Sequence, residues 1–379
     1  MIMKNLKNNL IIILFSAVVL SICLMFFVVP DKDVSATERR PLAEMPELTG
    51  QAMFSGEYFG KLESYLLDQF PMRESYRTIN AWVRTRLMRQ SDVNGLWIEN
   101  GSIFKQNDPL KQDQIAYGTA LMNKVKDTYF KNSNVYYSVI PDKNYFLDFA
   151  YRPEFNYDGL TEILKTDLKD MKYIDIFDVL SINDYYNTDT HWSQDKIFPV
   201  VSKLANEMGV GELVTPKEEY EVHSKAPFYG VYYGQMSLNV KPDILNYVTN
   251  DYTQNAKVYG IDPEILKSHF GVEDTLSNKV YAEEKFYGID GYDMYLSGAQ
   301  PVVVMECDNA KTDKELILFR DSFGSSIAPL FLGAYEKVTL IDLRYIPSSM
   351  LGEYVDLSPE ADVLFLYSTN MLNSSMLMR

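Results

Sequence analysis

Two short segments of the sequence carry polar residues whose types and spacing suit acyl transfer. Asp189 precedes His191 by two positions, and Ser322 follows the apolar segment Glu315–Arg320 after a single intervening residue. In an extended loop, positions i and i+2 point the same way, so Asp189 can reach one ring nitrogen of His191. The other nitrogen is then free to accept a proton from a serine hydroxyl. The pattern therefore predicts nucleophilic chemistry at Ser322.

Ser322 is expected to lie between a buried strand and a helix. That position would present its hydroxyl at the carboxyl edge of a sheet, beside the N–H groups that begin the helix. A serine that only caps the helix has the same pattern, and the G-x-S-x-G sequence of a nucleophile elbow is absent. The strand–serine–helix pattern alone leaves both interpretations open, and the Asp189–His191 pair favours the catalytic one.

The remaining histidines and cysteines do not indicate a metal site. His223 and His269 lie far apart in polar segments, and we interpret both as structural or surface residues. Cys23 falls in an apolar segment near the N-terminus, and Cys307 lies far away in the C-terminal half. We therefore predict no disulfide framework, no metal and no cofactor.

Composition excludes one large class of function. The 379 residues carry a formal net charge of −16, and Lys and Arg are not clustered. Binding to nucleic acid requires clustered cations that displace counterions from phosphate, so we expect no nucleic-acid partner. The apolar content of 46 % is sufficient for a full-sized globular core.

Residues 10–29 form an uncharged apolar segment that is long enough to cross a bilayer as a helix. Lys4 and Lys7 precede it, so the positive-inside rule predicts a cytoplasmic N-terminus and an extracytoplasmic remainder. A cleaved signal peptide ending near residues 34–36 is the alternative. The apolar segment exceeds the usual length of a signal-peptide core, which favours an uncleaved anchor.

The rest of the chain alternates between helical and strand patterns, which predicts an α/β fold with a parallel sheet flanked by helices. The domain prediction is an anchor over 1–30, a tether and N-terminal helices over 31–90, and a catalytic domain over 91–379. An irregular insertion with β character is expected over 210–299. Pro71 should split the helical pattern of 55–90, and Asn100-Gly101 predicts a hairpin turn. We expect helices over 112–130, 157–171, 197–208 and 325–334, and strands over 135–140, 173–176, 315–320, 337–343 and 362–367.

Several segments together resemble the DHHW family. They are Asp-Thr-His-Trp-Ser at 189–193, Leu-Phe-Arg-Asp-Ser-Phe-Gly at 318–324, Ile-Asp-Leu-Arg-Tyr at 341–345, Asp-Gln-Phe-Pro-Met-Arg at 68–73, and the hairpin at 96–104. That family is similar to the SGNH-like alginate O-acetyltransferases, members of the SGNH hydrolase class. The resemblance covers 55–370 in scattered blocks and implies a circularly permuted SGNH-like fold. Thr190 stands where the family's motif has its first histidine, and the Asn and Gly blocks of ordinary SGNH enzymes are not evident.

The resemblance implies a role for each residue of the site. Ser322 becomes the nucleophile, His191 the general base and Asp189 the acid that orients it. The backbone N–H groups of Ser322 and Phe323 would hold the oxyanion, and Asn370 either joins them or is a turn residue.

Four further residues are candidates for substrate contact. Arg344 either binds substrate or pairs with a carboxylate. Tyr229, Tyr232 and Tyr233 either form a platform for sugar rings or pack inside the protein, and packing is the favoured interpretation.

The activity implied by the resemblance is O-acetylation of a secreted or cell-surface polysaccharide through an acetyl-serine intermediate. An enzyme outside the cytoplasm would need acetyl groups carried across the membrane, which implies a membrane-spanning acyltransferase partner. A carbohydrate acetylesterase with the same triad is the near alternative. The Thr190 departure keeps open a third class, a non-catalytic glycan-binding or scaffold protein.

Overall fold

The computed structural model describes residues 2–35, 37–148, 154–238, 240–271 and 273–379, so Ala36 of the alternative cleavage segment lies outside the described residues. The chain divides into two compact units, Met1–Asn94 with Tyr233–Asn239, and Gly95–Tyr232 with Val240–Arg379. The short segment Tyr233–Asn239 was expected within the insertion of the catalytic domain. In the structure it groups with the N-terminal unit instead.

The first unit begins with a long apolar helix. The window Asn8–Phe26 of this helix is long and apolar enough to cross a membrane. The unit's helices are α1 (Ile2–Val28), α2 (Gly50–Ser55), α3 (Glu57–Asp68) and α4 (Arg73–Trp82), and its strands are β1 (Val34–Ser35) and β2 (Arg40–Pro41). Pro71 lies between α3 and α4, as predicted. The predicted tether is tied to α3, because the Arg40 guanidinium donates to Asp68 Oδ2 at 2.8 Å.

The second unit contains most of the sheet structure. Its strands are β3 (Leu96–Glu99), β4 (Ser102–Lys105), β5 (Val135–Ile140), β6 (Lys172–Tyr173), β7 (Glu221–Phe228), β8 (Asp243–Thr249), β9 (Lys257–Gly260), β10 (Val302–Glu306), β11 (Glu315–Arg320), β12 (Lys337–Ile341) and β13 (Asp362–Ser368). The large sheet has seven strands in the order β6-β5-β13-β11-β12-β10-β9. Two antiparallel pairs accompany it: the predicted hairpin β3–β4, and β7–β8 within the segment 210–299.

The large sheet is mostly parallel, as expected, with one exception. β10 runs antiparallel to both of its neighbours, β9 and β12. Only residues 307–314 connect β10 to β11. A parallel crossover needs a dozen or more residues, so this connection is too short to return the chain in the same direction.

Both faces of the sheet are buried, which explains why its strands are continuously apolar. Along β11, Leu316 and Leu318 pack into the apolar cluster on one face, whereas Ile317 and Phe319 pack into the cluster on the other. Side chains alternate along a strand, so a strand covered on both sides needs apolar residues at every position. The strand signal was clear in the sequence for this reason.

Helices cover the sheet, and some differ from the sequence-based prediction. The remaining helices are α5 (Gln112–Tyr129), α6 (Tyr157–Asp167), α7 (Phe198–Glu207), α8 (Val231–Met236), α9 (Asp251–Asn255), α10 (Pro263–Ile265), α11 (Gly324–Ile327), α12 (Leu351–Tyr354) and α13 (Thr369–Leu372). The helix predicted over 325–334 is only one turn of α-helix followed by a 3₁₀ turn, Ala328–Phe331. Pro329 lacks the N–H that a longer α-helix would require. The strand predicted over 173–176 is limited to Lys172–Tyr173.

Parallel strands bring several candidate residues to one edge of the sheet. β5, β13, β11 and β12 are neighbours and all run in the same direction. Their carboxyl ends are followed by Asp142-Lys143, Thr369-Asn370, Asp321-Ser322 and Asp342-Leu343-Arg344, respectively. Ligands of open α/β sheets bind at this edge.

Candidate active site

Asp189, His191 and Ser322 form one continuous chain of hydrogen bonds. His191 Nε2 lies 2.7 Å from Ser322 Oγ, and His191 Nδ1 lies 2.6 Å from Asp189 Oδ1. The carboxylate can only accept, so Nδ1 carries the proton and Nε2 is left to accept the serine proton. The structure thus brings together residues separated by 131 positions in the geometry of a serine–histidine–aspartate relay.

The carboxylate of Asp189 is fixed by the backbone on two sides. Its Oδ1 also accepts from the His191 N–H at 3.0 Å, and its Oδ2 accepts from the Val231 N–H at 2.7 Å. Gly230 is adjacent, and a Cβ at this position would lie 2.4 Å from Asp189 Cβ. Only glycine therefore allows the segment before α8 to approach close enough to donate this hydrogen bond.

A second buried carboxylate, Asp243, holds the start of the loop that carries Asp189 and His191. It accepts four hydrogen bonds, from the backbone N–H groups of Asn187 and Thr188 and from both of their side chains, at 2.6–3.0 Å. Asp243 is the first residue of β8, so the sheet pair β7–β8 holds the start of the loop that carries Asp189. A carboxylate that accepts several N–H bonds is a strong and rigid anchor for a loop.

Aromatic rings enclose the imidazole of His191. The ring of Tyr292 stacks on it with a centroid distance of 3.9 Å, and the ring of Phe323 approaches it at 4.7 Å. The Tyr292 hydroxyl donates to Ser326 Oγ at 2.8 Å, and Trp192 Nε1 donates to the same oxygen at 2.9 Å. Trp192 is fully buried next to His191. These contacts allow the ring little freedom to rotate.

Asp321 shapes the turn that carries Ser322. Its Oδ1 accepts from the Phe323 N–H at 3.0 Å, and its Oδ2 accepts from the Ser368 N–H at the end of β13 at 2.9 Å. The expectation that the Phe323 N–H is a free oxyanion donor is therefore not met, because a neighbouring carboxylate already accepts from it. Among the described residues, none accepts from the Ser322 N–H, which remains available.

The two other polar candidates lie at the same sheet edge. Asn370 is part of α13, directly after β13, and its side chain is half-buried. Arg344 donates to both oxygens of Asp342, from Nε at 2.9 Å and from Nη2 at 2.6 Å. Of the two roles considered for Arg344, pairing with a carboxylate is the one that the structure shows.

The three candidate tyrosines have different environments. Tyr229 is 39 % exposed, whereas Tyr232 is buried. The Tyr232 phenol meets the side chain of Thr190, and burial raises its pKa. Tyr232 is therefore a packing residue, as favoured from the sequence. Tyr233 is half-buried and groups with the first unit.

The described part of the chain contains no cluster of His, Cys, Asp and Glu that could hold a metal ion. His223 Nε2 lies 2.8 Å from Thr249 Oγ1, and His269 Nδ1 lies 2.5 Å from the hydroxyl of Tyr354.

Two solved structures share this fold over most of their length. A DHHW family protein from Eubacterium siraeum is 20 % identical with a TM-score of 0.58, and the match covers 74 % of this chain and 93 % of that one. PatB1 of Bacillus cereus, solved with a sulfonyl adduct, is 18 % identical with a TM-score of 0.56, covering 74 % and 98 %. The predicted likeness to the DHHW family is confirmed at the level of the fold.

A weaker likeness, with a TM-score of 0.44 and 12 % identity, extends to the O-acetyltransferase domain of Pseudomonas putida AlgJ, covering 74 % of this chain and 92 % of that one. No protein-family model matches the sequence, and the search of curated proteins found no match.

Proposed function

We propose that this protein is an extracytoplasmic O-acetyltransferase that acetylates a cell-surface or secreted polysaccharide through an acetyl-Ser322 intermediate. The observation that carries the proposal is the hydrogen-bond chain from Asp189 Oδ1 through His191 to Ser322 Oγ, with links of 2.6 and 2.7 Å. The fold is shared with a DHHW family protein, and because a fold alone does not establish an activity, the proposal depends on the geometry of the site.

In the first half of the reaction, His191 Nε2 accepts the proton of Ser322 as Oγ attacks the acetyl carbonyl carbon. The imidazolium formed is stabilised by Asp189, whose other oxygen is held by the Val231 N–H. The donor's leaving oxygen then departs with the proton from Nε2, and the acetyl group remains on Ser322 as an ester.

The tetrahedral oxyanion requires donors near Ser322 Oγ. The Ser322 N–H is available, whereas the Phe323 N–H already donates to Asp321. A second donor must come from another group, and Asn370 at the same edge of the sheet is the candidate that we retain.

In the second half, His191 Nε2 accepts the proton of a sugar hydroxyl as its oxygen attacks the acetyl-serine carbonyl carbon. The bond from that carbon to Ser322 Oγ then breaks, and Oγ takes the proton back from Nε2. Because α1 is long and apolar enough to cross a membrane and Lys4 and Lys7 precede its apolar part, the proposal includes an uncleaved anchor with the catalytic unit outside the cytoplasm. A membrane-spanning acyltransferase in the same membrane would supply acetyl groups.

Intact mass of the full-length protein in detergent micelles, after exposure to an activated acetyl ester, tests the proposal. The experiment compares wild type with Ser322→Ala and with a matched control, Ser268→Ala. Ser268 is exposed, and its hydroxyl bonds within its own helical turn. We expect one acetyl adduct on wild type and control, absent from Ser322→Ala, and discharged by a glycan acceptor faster than by water.

If water discharges the adduct at the same rate with and without glycan, the protein is an acetylesterase and not a transferase. An adduct that survives in Ser322→Ala would refute the assignment of the nucleophile. If wild type formed no adduct and showed no turnover, the chain would be a non-catalytic glycan-binding or scaffold protein.

A further inference from the structure

A lysine is buried beneath the loop that carries the catalytic acid and base. Lys143 begins the 3₁₀ turn Lys143–Phe146 after β5 and is only 3 % exposed. Asp142 caps this turn by accepting from the Asn144 N–H at 3.0 Å, so the lysine backbone is held in place. Lysine is almost never fully buried unless it is paired, so its partners indicate its role.

The partners of the ammonium group are carbonyl oxygens of the catalytic loop. Lys143 Nζ donates to the carbonyl oxygens of Tyr186 at 2.9 Å and of Asn187 at 3.1 Å. Asn187 stands two residues before Asp189, and its carbonyl also accepts from the Ile103 N–H of β4 at 2.8 Å. Lys143 thus connects the end of β5 to the segment from which Asp189 and His191 project.

The same ammonium group lies near three buried carboxyl groups. Asp189, Asp243 and Asp142 each act on it electrostatically. Its other neighbours are aromatic, with the ring centroids of Phe104 at 5.2 Å and Tyr232 at 5.3 Å. Burial lowers the pKa of Lys143 to about 7, against the attraction of those carboxylates.

Packing alone does not explain a lysine here. A methionine side chain would fill the space between Phe104 and Tyr232 without the cost of desolvating a charge, which is large for a buried ammonium. What methionine would lack is the pair of N–H donors and the positive charge beside Asp189.

We propose that Lys143 is a positioning residue for the Asp189–His191 pair, holding their loop by its two carbonyl contacts and offsetting the negative charge beneath the imidazole. The inference rests on the proposed function, because it assigns Lys143 to the machinery that activates Ser322.

The test compares wild type with Lys143→Met, with the milder Lys143→Gln, and with a matched control at an exposed lysine, Lys241→Met. The first measurement is the rate at which a sulfonyl fluoride modifies Ser322, followed by intact mass. We expect Lys143→Met to slow this reaction about 10- to 100-fold, the usual effect of displacing a catalytic group by up to 1 Å. Lys143→Gln should fall between Lys143→Met and wild type, and Lys241→Met should match wild type.

The second measurement does not depend on catalysis. The chain has only three histidines, so the ring signals of His191 can be followed by NMR and assigned with His191→Gln. Removal of the positive charge should stabilise the protonated ring and move the midpoint of its titration to higher pH in Lys143→Met. A residue that only supports the fold would not move this midpoint.

Two results would overturn the inference: sulfonylation within twofold of wild type in both variants, or an unchanged His191 midpoint in a folded variant. If Lys143→Met does not fold, Lys143→Gln decides by the same criteria. A wild-type protein that is not sulfonylated at Ser322 would refute the proposed function, and the histidine titration would still decide the role of Lys143.

Discussion

The ring of His191 lies parallel to the ring of Tyr292, with centroids 3.9 Å apart and planes inclined by 10°. Tyr292 is itself held in place, because its hydroxyl donates to the buried Ser326 Oγ at 2.8 Å. Ser326 lies one turn beyond Ser322, on α11. The aromatic stack therefore connects His191 to the same short helix that follows Ser322.

Tyr292→Leu should reduce acyl transfer by removing the surface against which the imidazole stacks. Stacked aromatic pairs contribute about 0.5–1.5 kcal/mol, so we expect the kcat for a chromogenic acetyl ester to fall about two- to tenfold. Tyr292→Phe keeps the ring and loses only the hydroxyl, and it should stay within about twofold of wild type. Equal losses in both variants would show that the hydroxyl, not the stacked ring, is what matters.

The sequence was sufficient to predict that Asp189, His191 and Ser322 lie together. Asp189 and His191 are two positions apart, and Ser322 follows an apolar strand, so local spacing and the strand signal placed all three. Tyr292 and Asp243 could not be found in this way. Tyr292 lies in a 3₁₀ turn and Asp243 at the start of β8, both far from Asp189 in the sequence. Neither has a local pattern that distinguishes it from other tyrosines or aspartates of the chain.

The oxyanion prediction for Phe323 failed for a different reason. A residue that follows a nucleophile at a strand–helix junction usually has a free N–H, and the sequence supported that assignment. Asp321 was visible beside Ser322, but an aspartate can point in several directions. Its contact with Ser368 at the end of β13 directs its other oxygen to the Phe323 N–H, and this follows only from the strand order.

Gly230→Ala should separate Asp189 from the backbone that supports it. The new Cβ would lie 2.4 Å from both Asp189 Cβ and the Thr188 carbonyl oxygen, so one of the two segments must move. We expect kcat to fall about 100-fold, as for a catalytic group displaced by 1 Å. Gly60→Ala is the matched control, because a Cβ there meets nothing within 4 Å. A Gly230→Ala enzyme with unchanged kcat would contradict the close approach.

Asp243→Asn should destabilise the second unit and loosen the attachment of the loop that carries Asp189 and His191. The carboxylate accepts four hydrogen bonds, and an amide would turn one N–H toward groups that are themselves donors. Loss of charge-assisted bonds predicts a decrease of about 2–4 kcal/mol in the free energy of unfolding, measured with urea. Asp308→Asn serves as control, since its ion pair with Lys257 is exposed, and we expect a change below about 0.5 kcal/mol.

The buried Lys143 should give the stability of the second unit a specific dependence on pH. Burial lowers its pKa from 10.5, the ordinary value of a lysine side chain, to about 7. Between these two values the unfolded chain holds a proton that the folded protein releases, so the free energy of unfolding rises with pH. Below pH 7 both states are protonated, and the full cost of burying the ammonium remains.

Urea unfolding of wild type and Lys143→Met at several pH values isolates this contribution, because every other group is common to both proteins. From about pH 7 to about pH 9, the free energy of unfolding of the wild type should rise by about 2 kcal/mol relative to that of the variant. Over this range the unfolded chain keeps a proton on Lys143 that the folded protein has released. Parallel curves for the two proteins would show that Lys143 keeps an ordinary affinity for its proton. The interior around Asp189 would then be better solvated than its burial indicates.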